Sequence, residues 1–550
     1  MDLLFHSKSR LFLTPVVFAA LMVALFSVTT VAPVRAVTAW LRWALPFALG
    51  VWALIVAALS RSLPRRFHRS DTLACSFIGF ALLSSLYSID PRTTLLRSFS
   101  VMLIYGAVFW GLWLYVDLGS SAKMVRTMLS AAALALSLHL LILVLSPSWA
   151  LYHDSVRFVG WAENPGAVGS LASLSMPLAL WNALSNRRWY SWTLVGAMLL
   201  VIVMAHTRTE AIAMVVGSGY FLLRALPSKR LLVVGMGAAY LLAFISWSLV
   251  SPGLYERYGP DLPKGVLDNV EQQAQLDTAQ AQLDTAQAQL DTAQAQLDTA
   301  QAQLDTEQLD IEQLDIERVQ LDSARAELDT ARVQLDSARA ELDSARAELD
   351  TAQLDTAQAL LETINGQQHV EASDTATGTT VEQEQWYLVG NPRYGLAHLG
   401  TLAMRSQKWA RGITYLLERP LFGFGFGTES QLFSFHGLNK VEWIYTGGYM
   451  HNSYLGLALQ VGIPGALLFF LPLALLIIRE VRQEVLLSHT GVRVAVLGFV
   501  LAGMTSAIAS SWIYSMGNPN GLQFWVCVML LVRFRVQVDA EVDGVRNVAN

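Results

Sequence analysis

Charge is scarce in this sequence. Only 15% of its 550 residues are charged, whereas 53% are hydrophobic. A soluble chain carries about 25% charged residues, so a water-soluble globule is excluded as the main architecture. Cysteine is nearly absent: Cys75 and Cys527 both sit in apolar segments, with no CxxC and no His/Cys cluster. That argues against a disulfide framework and against a zinc site, and neither a metal nor another cofactor is expected. There is no basic tract of the kind that marks a nucleic-acid partner. Glycine and proline are missing from 271–363, which removes the two strongest helix breakers from a long stretch.

What is present is apolar and blocked. Runs of about 20 apolar residues, the length of a bilayer-crossing helix, fall near 11–32, 37–60, 72–88, 95–116, 124–146, 166–184, 190–206, 209–226, 231–250, 452–478, 491–512 and 521–534. The expectation is an all-α polytopic membrane protein of about twelve helices. The first run is long for a signal peptide and is read as retained. Lys and Arg set the orientation, because positive charge is held on the cytoplasmic side. With the N-terminus inside after Lys8 and Arg10, the inner connections carry Arg61, Arg65, Arg66 and Arg69, then Lys123 and Arg126, Arg187 and Arg188, Arg224, Lys229 and Arg230, Arg479, Arg482 and Arg493, and Arg533 and Arg535. Both termini are then cytoplasmic.

Three parts follow: membrane helices over 1–250, a large outer loop over 251–451, and membrane helices with a short tail over 452–550. Inside the loop, 271–363 is a heptad repeat. Leu276, Leu283, Leu290, Leu297 and Leu304 are seven apart, with Ala279, Ala286 and Ala293 three residues on. This narrow seam predicts a coiled-coil insert. Its plainest role is a spacer or a self-association or partner-binding arm, reaching ~140 Å if fully helical at ~1.5 Å per residue. The five-residue Leu spacing at 304, 309 and 314 breaks the phase and permits a hairpin. Residues 366–385 read as a flexible polar linker. Residues 396–420 have helical periodicity up to Pro420, with Arg405, Lys408 and Arg411 on one side and Trp409, Ile413, Leu416 and Leu417 on another. That predicts an amphipathic helix on the outer membrane surface. In "LFGFGFGTES", Gly423, Gly425 and Gly427 permit a tight turn and close backbone approach, but the stretch lacks the GK[ST] of a phosphate-binding loop.

Polar groups at a membrane lip are costly and are candidates for function. Four places stand out, all on the outer side. His451 precedes "NSYLGLALQVGIPG". "HTRTE" (206–210) is a tight turn with His206, Arg208 and Glu210. "RFVGWAENPGAVG" (157–169) brings Arg157, Glu163 and Asn164. Arg405 lies on the amphipathic helix. Each has a plainer reading: His451 as a helix cap, Arg208 and Arg157 as headgroup snorkels, Asn164-Pro165 as a helix start, Arg405 as a lipid contact. Together, arginines and a histidine at one membrane mouth suit an anionic, lipid-linked substrate, since guanidinium forks match phosphate and neutral imidazole accepts a proton near pH 7.

Taken in order, these segments resemble the O-antigen ligase and O-antigen polymerase (Wzy_C-type) superfamily of bacterial membrane glycosyltransferases. "HNSYLGLALQVGIPG" looks like its histidine signature with the following G-x-x-G, and "RPLFGFGFG" like the glycine segment before it. "HTRTEAIAMVVG" looks like its arginine turn, and "GWAENPGAVGSLASLSMPL" like its upstream G-x-x-x-N-P stretch. The resemblance spans about 157–480. Departures are Gln460 where the family often has Glu, Glu210 where a small residue is usual, and the heptad insert. The resemblance implies inverting, metal-independent transfer of a glycan from undecaprenyl diphosphate to an acceptor hydroxyl at the periplasmic face of the inner membrane. His451 would match the catalytic histidine, and Arg208 and Arg405 the diphosphate-binding arginines, with Arg157 an addition. Asn164, Gly423, Gly425, Gly427 and Asn452 are expected to shape the pocket.

Partners implied are the lipid-linked donor, membrane lipids, and an acceptor that is lipid A core, glycan or protein. Ligase and exopolysaccharide or O-antigen polymerase share these motifs and stay open. From other classes, a polysaccharide or lipid transporter lacks support in any internal repeat among the spans. A scaffold displaying the coiled coil would depend on 271–363.

Overall fold

A computed structural model describes residues 15–27, 29–60, 67, 69–115, 118–150, 157–162, 164–229, single positions within 233–242 and 329–340, 400–435, 449–483 and 490–549. The described residues are helical, with one isolated bridge between Thr29 and Ala162. The chain divides into two compact units, one of residues 1–258 with 394–550 and one of 259–393. Nearly all of the second unit lies outside the described residues, as do the expected heptad coiled coil, the 366–385 linker, most of the run at 231–250, and Glu163.

The first unit is built from α1 (Pro15–Phe26), α2 (Ala32–Ser60), α3 (Arg69–Leu83), α4 (Pro91–Tyr105, continued by a π-turn at Gly106–Gly111), α5 (Leu118–Leu145), α6 (Pro165–Asn186), α7 (Trp189–Ala205), α8 (Arg208–Ala225), α9 (Gly400–Glu418), α10 (Glu429–Phe435), α11 (Ser453–Gln483), α12 (Thr490–Ser506) and α13 (Pro519–Ala549). Among the described residues, five stretches are long and apolar enough to cross a bilayer: 32–59, 91–111, 121–145, 165–186 and 453–482; α1, α7, α12 and residues 70–86 are shorter apolar helices. The protein is an all-α membrane protein. Caps fix the ends of several of these helices. Asp90-Pro91 and Asn164-Pro165 start α4 and α6 as Asx cap plus proline. Arg187 and His206 end α6 and α7 in the left-handed conformation.

α6 is the central helix, with 83% of its apolar window buried, against 12% for α2, whose Trp40, Leu54 and Leu59 face outward. Outward apolar side chains suit lipid, where backbone groups must be paired inside the helix. α6 packs on α7, α8 and α12, and α8 packs most extensively on α12. The α8–α12 crossing is backbone on backbone: a Cβ on Gly217 would lie 2.4 Å from the Gly498 carbonyl oxygen, and one on Gly498 2.7 Å from that of Gly217. Small residues permit this approach in a membrane bundle. Gly498→Val is therefore expected to cost about 1–3 kcal/mol of stability, measured as a lower thermal midpoint in detergent. An unchanged midpoint would contradict the crossing.

Among the described residues, hydrogen bonds gather the turns at 29–31, 84–90, 157–162, 206–207, 419–428, 449–452 and 507–518. Phe158 N–H donates to the Met204 carbonyl, Ile89 N–H to that of Phe424, and Ser453 N–H to that of Ala507. Away from these turns, Arg493 pairs with Glu480 at 2.6 Å in a buried ion pair.

Candidate active site

α11 is broken near its start, and the sequence says why. Pro464 has no N–H, so the Gln460 carbonyl loses its helical donor. Gly462 takes φ 69° and ψ 175°, outside helical space. The freed groups are taken up by the glycine segment. Phe424 N–H donates to the Leu459 carbonyl (2.9 Å), Gly425 N–H to that of Gln460 (2.8 Å), and Ile463 N–H to that of Pro420 (2.8 Å). Gly427 N–H completes the seam on the Gln460 side-chain oxygen at 2.6 Å. The close approach that Gly423 permits is thus to α11 itself, while a Cβ on Gly425 would meet Ser88 and one on Gly427 would meet Arg97. On its other side the segment meets the α3–α4 turn, where Phe426 N–H donates to Ser84 Oγ and Tyr87 donates to the Phe422 carbonyl.

The seam holds the start of α11, where His451 stands. The first N–H groups of that helix are all accounted for without the imidazole. Asn452 Oδ1 accepts from Tyr454 and Leu455 N–H at 3.0 Å each, and its carbonyl accepts from Gly456. Asn452 is the helix cap, so the capping reading of His451 falls. His451 itself is half-buried with φ 50°, a left-handed conformation uncommon outside glycine.

The loop between α12 and α13 underpins the turn. Ser453 Oγ donates to the Ser510 carbonyl at 2.6 Å and accepts from Trp512 N–H at 3.1 Å. Asn452 N–H donates to Ser511 Oγ at 3.1 Å. Behind it lies Glu429, at the first position of α10 and 2% exposed. It accepts from Met450 N–H at 2.7 Å, from the Ser511 hydroxyl at 2.9 Å, from Tyr514 and, at 3.4 Å, from Gln460 Nε2. Burial raises the Glu429 carboxyl, while hydrogen bonds from Tyr514, Met450 and Ser511 and the Lys408 charge pull it back. Burial and the neighbouring carboxylate hold the Tyr514 phenol well above its ordinary range, so it remains a donor.

The same loop reaches the arginine turn. Glu210, 4% exposed, accepts from Ser173 Oγ at 2.8 Å and from Ser506 Oγ at 2.7 Å. Trp512 Nε1 donates to Ser506 Oγ in turn. Glu210 thus ties α6, α8 and α12, two residues from Arg208. Arg208 is the first residue of α8, where the helix presents its positive pole. The Thr207 N-cap makes no side-chain capping bond, and its hydroxyl is buried without a hydrogen-bond partner among the described residues. A cation here opposes the dipole, whereas an anion in front satisfies both. Arg157 is drawn to the same turn, its Nε–H donating to the Ala205 carbonyl at 3.1 Å. The Arg157, Arg208 and His451 segments are therefore brought together around 506–512.

Other expected site residues serve locally. Asn164 caps α6 through Gly166 N–H at 2.6 Å. Arg405 lies within α9, its side chain outside the described residues. α9 runs Gly400–Glu418, and its faces differ from the expected division. Lys408 is buried and donates to the Tyr449 carbonyl at 3.4 Å, Trp409 donates to that of Met450 at 2.9 Å, and Tyr415 and Leu416 pack inward on Phe424 and Met450. Ile413 and Leu417 point outward instead, alongside exposed Leu421 and Phe422. The helix packs against the turn before α11 with its lysine inside, because carbonyls at 449 and 450 need donors there. The 506–520 loop, "SAIASSWIYSMGNPN", and Glu429 were not singled out from sequence. Their one visible signal is the density of serines and aromatics between two apolar runs. The 560 Å³ cavity lies between α3, α4, α11 and α13, lined by apolar side chains including Phe77, Ile104, Phe469 and Trp525, with Arg479 and Arg535 among its lining. Phe77 packs edge-on against Phe426 of the glycine segment.

Among known proteins, the O-antigen ligase family (Wzy_C) matches residues 359–470, which include α9, the glycine segment, His451 and the break in α11. No curated protein matches the chain. The family match supports the O-antigen ligase and polymerase superfamily, and at the coarse level a membrane glycosyltransferase.

Proposed function

We propose that this chain transfers a glycan from a polyprenyl-diphosphate carrier to an acceptor hydroxyl at the outer face of the inner membrane. The observation that carries the proposal is the anchoring of the Arg157–Arg208 turn and the His451 turn to one short loop, through Glu210–Ser506 on one side and Ser453–Ala507 on the other. A base and two cations for a leaving diphosphate are the parts such a transfer needs.

In this reading the acceptor oxygen attacks the anomeric carbon from the face opposite the diphosphate. The carbon–oxygen bond to the diphosphate breaks and the configuration inverts. The hydroxyl proton passes to the neutral His451 ring. The charge left on the diphosphate meets Arg208 at the α8 N-terminus, with Arg157 beside it and Arg405 contributed from α9. No metal is needed where two or three guanidinium groups meet the leaving group. The apolar cavity beneath the glycine segment is of a kind that takes an isoprenoid tail, and the outward Ile413, Leu417, Leu421 and Phe422 suit contact with lipid.

Arg208→Ala is expected to lower transfer about 100-fold, the scale of losing one preorganised group on developing charge. Arg208→Lys should recover part of it, since a point charge replaces a fork. The check is to express each variant in cells lacking the native protein and to quantify both finished glycan and lipid-linked donor. Donor accumulation with loss of finished glycan supports the reading. Long accumulated chains identify a ligase and single units a polymerase. Normal glycan with no donor accumulation rejects it, and moves weight to transport or scaffolding.

A further inference from the structure

Two N–H groups, one on each side of His451, converge on a single buried oxygen. The Met450 N–H reaches Glu429 Oε1 directly at 2.7 Å. The Asn452 N–H reaches Ser511 Oγ at 3.1 Å, and the Ser511 hydroxyl donates to the same Oε1 at 2.9 Å. The other oxygen is held by Tyr514 and by Gln460 Nε2. Glu429 is 2% exposed and Met450 fully buried, so this carboxylate does not meet a substrate itself. Between the two anchored peptides, His451 keeps φ 50°. A non-glycine residue in that region persists only where its surroundings over-determine it. Here the surroundings are the two arms of Glu429, together with Trp409 Nε1–H on the Met450 carbonyl.

We propose that Glu429 is the positioning residue for His451. Through Met450 N–H and the Ser511 hydroxyl it holds the 449–450 peptide ahead of His451 and the 451–452 peptide behind it, and so sets where the imidazole stands toward the acceptor hydroxyl. This rests on the reading of His451 as the base. A buried carboxylate is costly unless its oxygens are satisfied, and packing alone would be served by an apolar side chain. The donors arranged around Glu429 come from α11, from the turn before it and from the 511–514 loop. Those elements meet at residues 450–453, on either side of His451.

The test is kinetic, on the purified full chain in liposomes with lipid-linked donor and acceptor. Glu429→Gln keeps the shape but puts an amide donor among donors. It is expected to lower kcat about 10- to 100-fold, the scale of a displacement near 1 Å, with the donor KM unchanged within about twofold. Ser511→Ala severs only the Asn452 arm and is expected to lower kcat about tenfold. Glu429→Asp, which keeps the charge, should recover part of the loss. The deciding readout is the combination with His451→Asn: a residue acting through His451 has nothing further to remove, so neither change lowers the residual rate. Wild-type kcat in both single variants overturns the proposal. So does an equal fractional loss with and without the histidine, which marks a merely structural role. If Glu429→Gln does not accumulate folded, Ser511→Ala and Glu429→Asp carry the same comparison. If His451→Asn alone runs at the wild-type rate, the base reading fails, and that result is distinct from a failure of Glu429 to act through it.

Discussion

His451→Asn is expected to lower transfer about 10²- to 10⁴-fold while leaving a measurable residual rate, the range expected for loss of a general base. Asparagine is the informative replacement because of the backbone. At φ 50° an alanine would be strained, whereas Asn tolerates left-handed geometry. The N–H groups of Met450 and Asn452 keep their partners, and Asn452 still caps α11. The loss then belongs to the ring. Thermal midpoint and membrane abundance are expected to match wild type, with kcat reduced and donor KM held. A variant retaining more than a tenth of the rate removes His451 from the chemistry.

Gly423→Ala is expected to be nearly as damaging, for a different reason. Gly423 has φ 67°, and a Cβ there would lie 2.5 Å from the carbonyl carbon of Gln460 and 2.6 Å from the carbonyl oxygens of Leu459 and Gln460. Those are main-chain atoms at the break in α11, so no side chain can rotate away. The left-handed penalty of about 1–2 kcal/mol adds to that of overpacking, giving about 2–4 kcal/mol in all. Because the segment carries the donors for α11, its displacement also moves the His451 turn. Activity should fall together with the thermal midpoint. Gly79→Ala in α3, where nothing lies within 4 Å of an added Cβ, is the matched control and should leave both unchanged or slightly improved. Equal behaviour of the two variants would mean that the seam is not where α11 is held.

How much of this was legible in the sequence depends on how far apart the partners lie. Helix cores showed directly in apolar runs: 166–184, 190–206 and 209–226 became Pro165–Asn186, Trp189–Ala205 and Arg208–Ala225. Ends were less visible. The run at 491–512 is apolar on average, yet α12 stops at Ser506, since serine hydroxyls and a tryptophan there bond to Glu210, Ser453 and Glu429 instead of continuing a ladder. Hydropathy averages over that exchange. The break in α11 had a local signal, Gly462 and Pro464, and could be read from two residues. Glu429 had none. Its partner Tyr514 is 85 positions away and Ser511 82, so only the fold reveals that a glutamate beside a glycine turn faces the histidine from behind. Gln460 shows the same limit. The carboxylate that the resemblance would place at 460 is absent, but one arrives from 429 and meets the Gln460 amide.

The interrupted α11 also constrains how the protein is made. A carbonyl without a donor inside a bilayer costs several kcal/mol, and α11 carries two, at 459 and 460, that its own backbone cannot serve. Their donors, at 424 and 425, come earlier in the chain. The glycine segment is therefore synthesised before the helix that needs it, so the remedy for the defect that Pro464 writes into α11 precedes the defect along the chain.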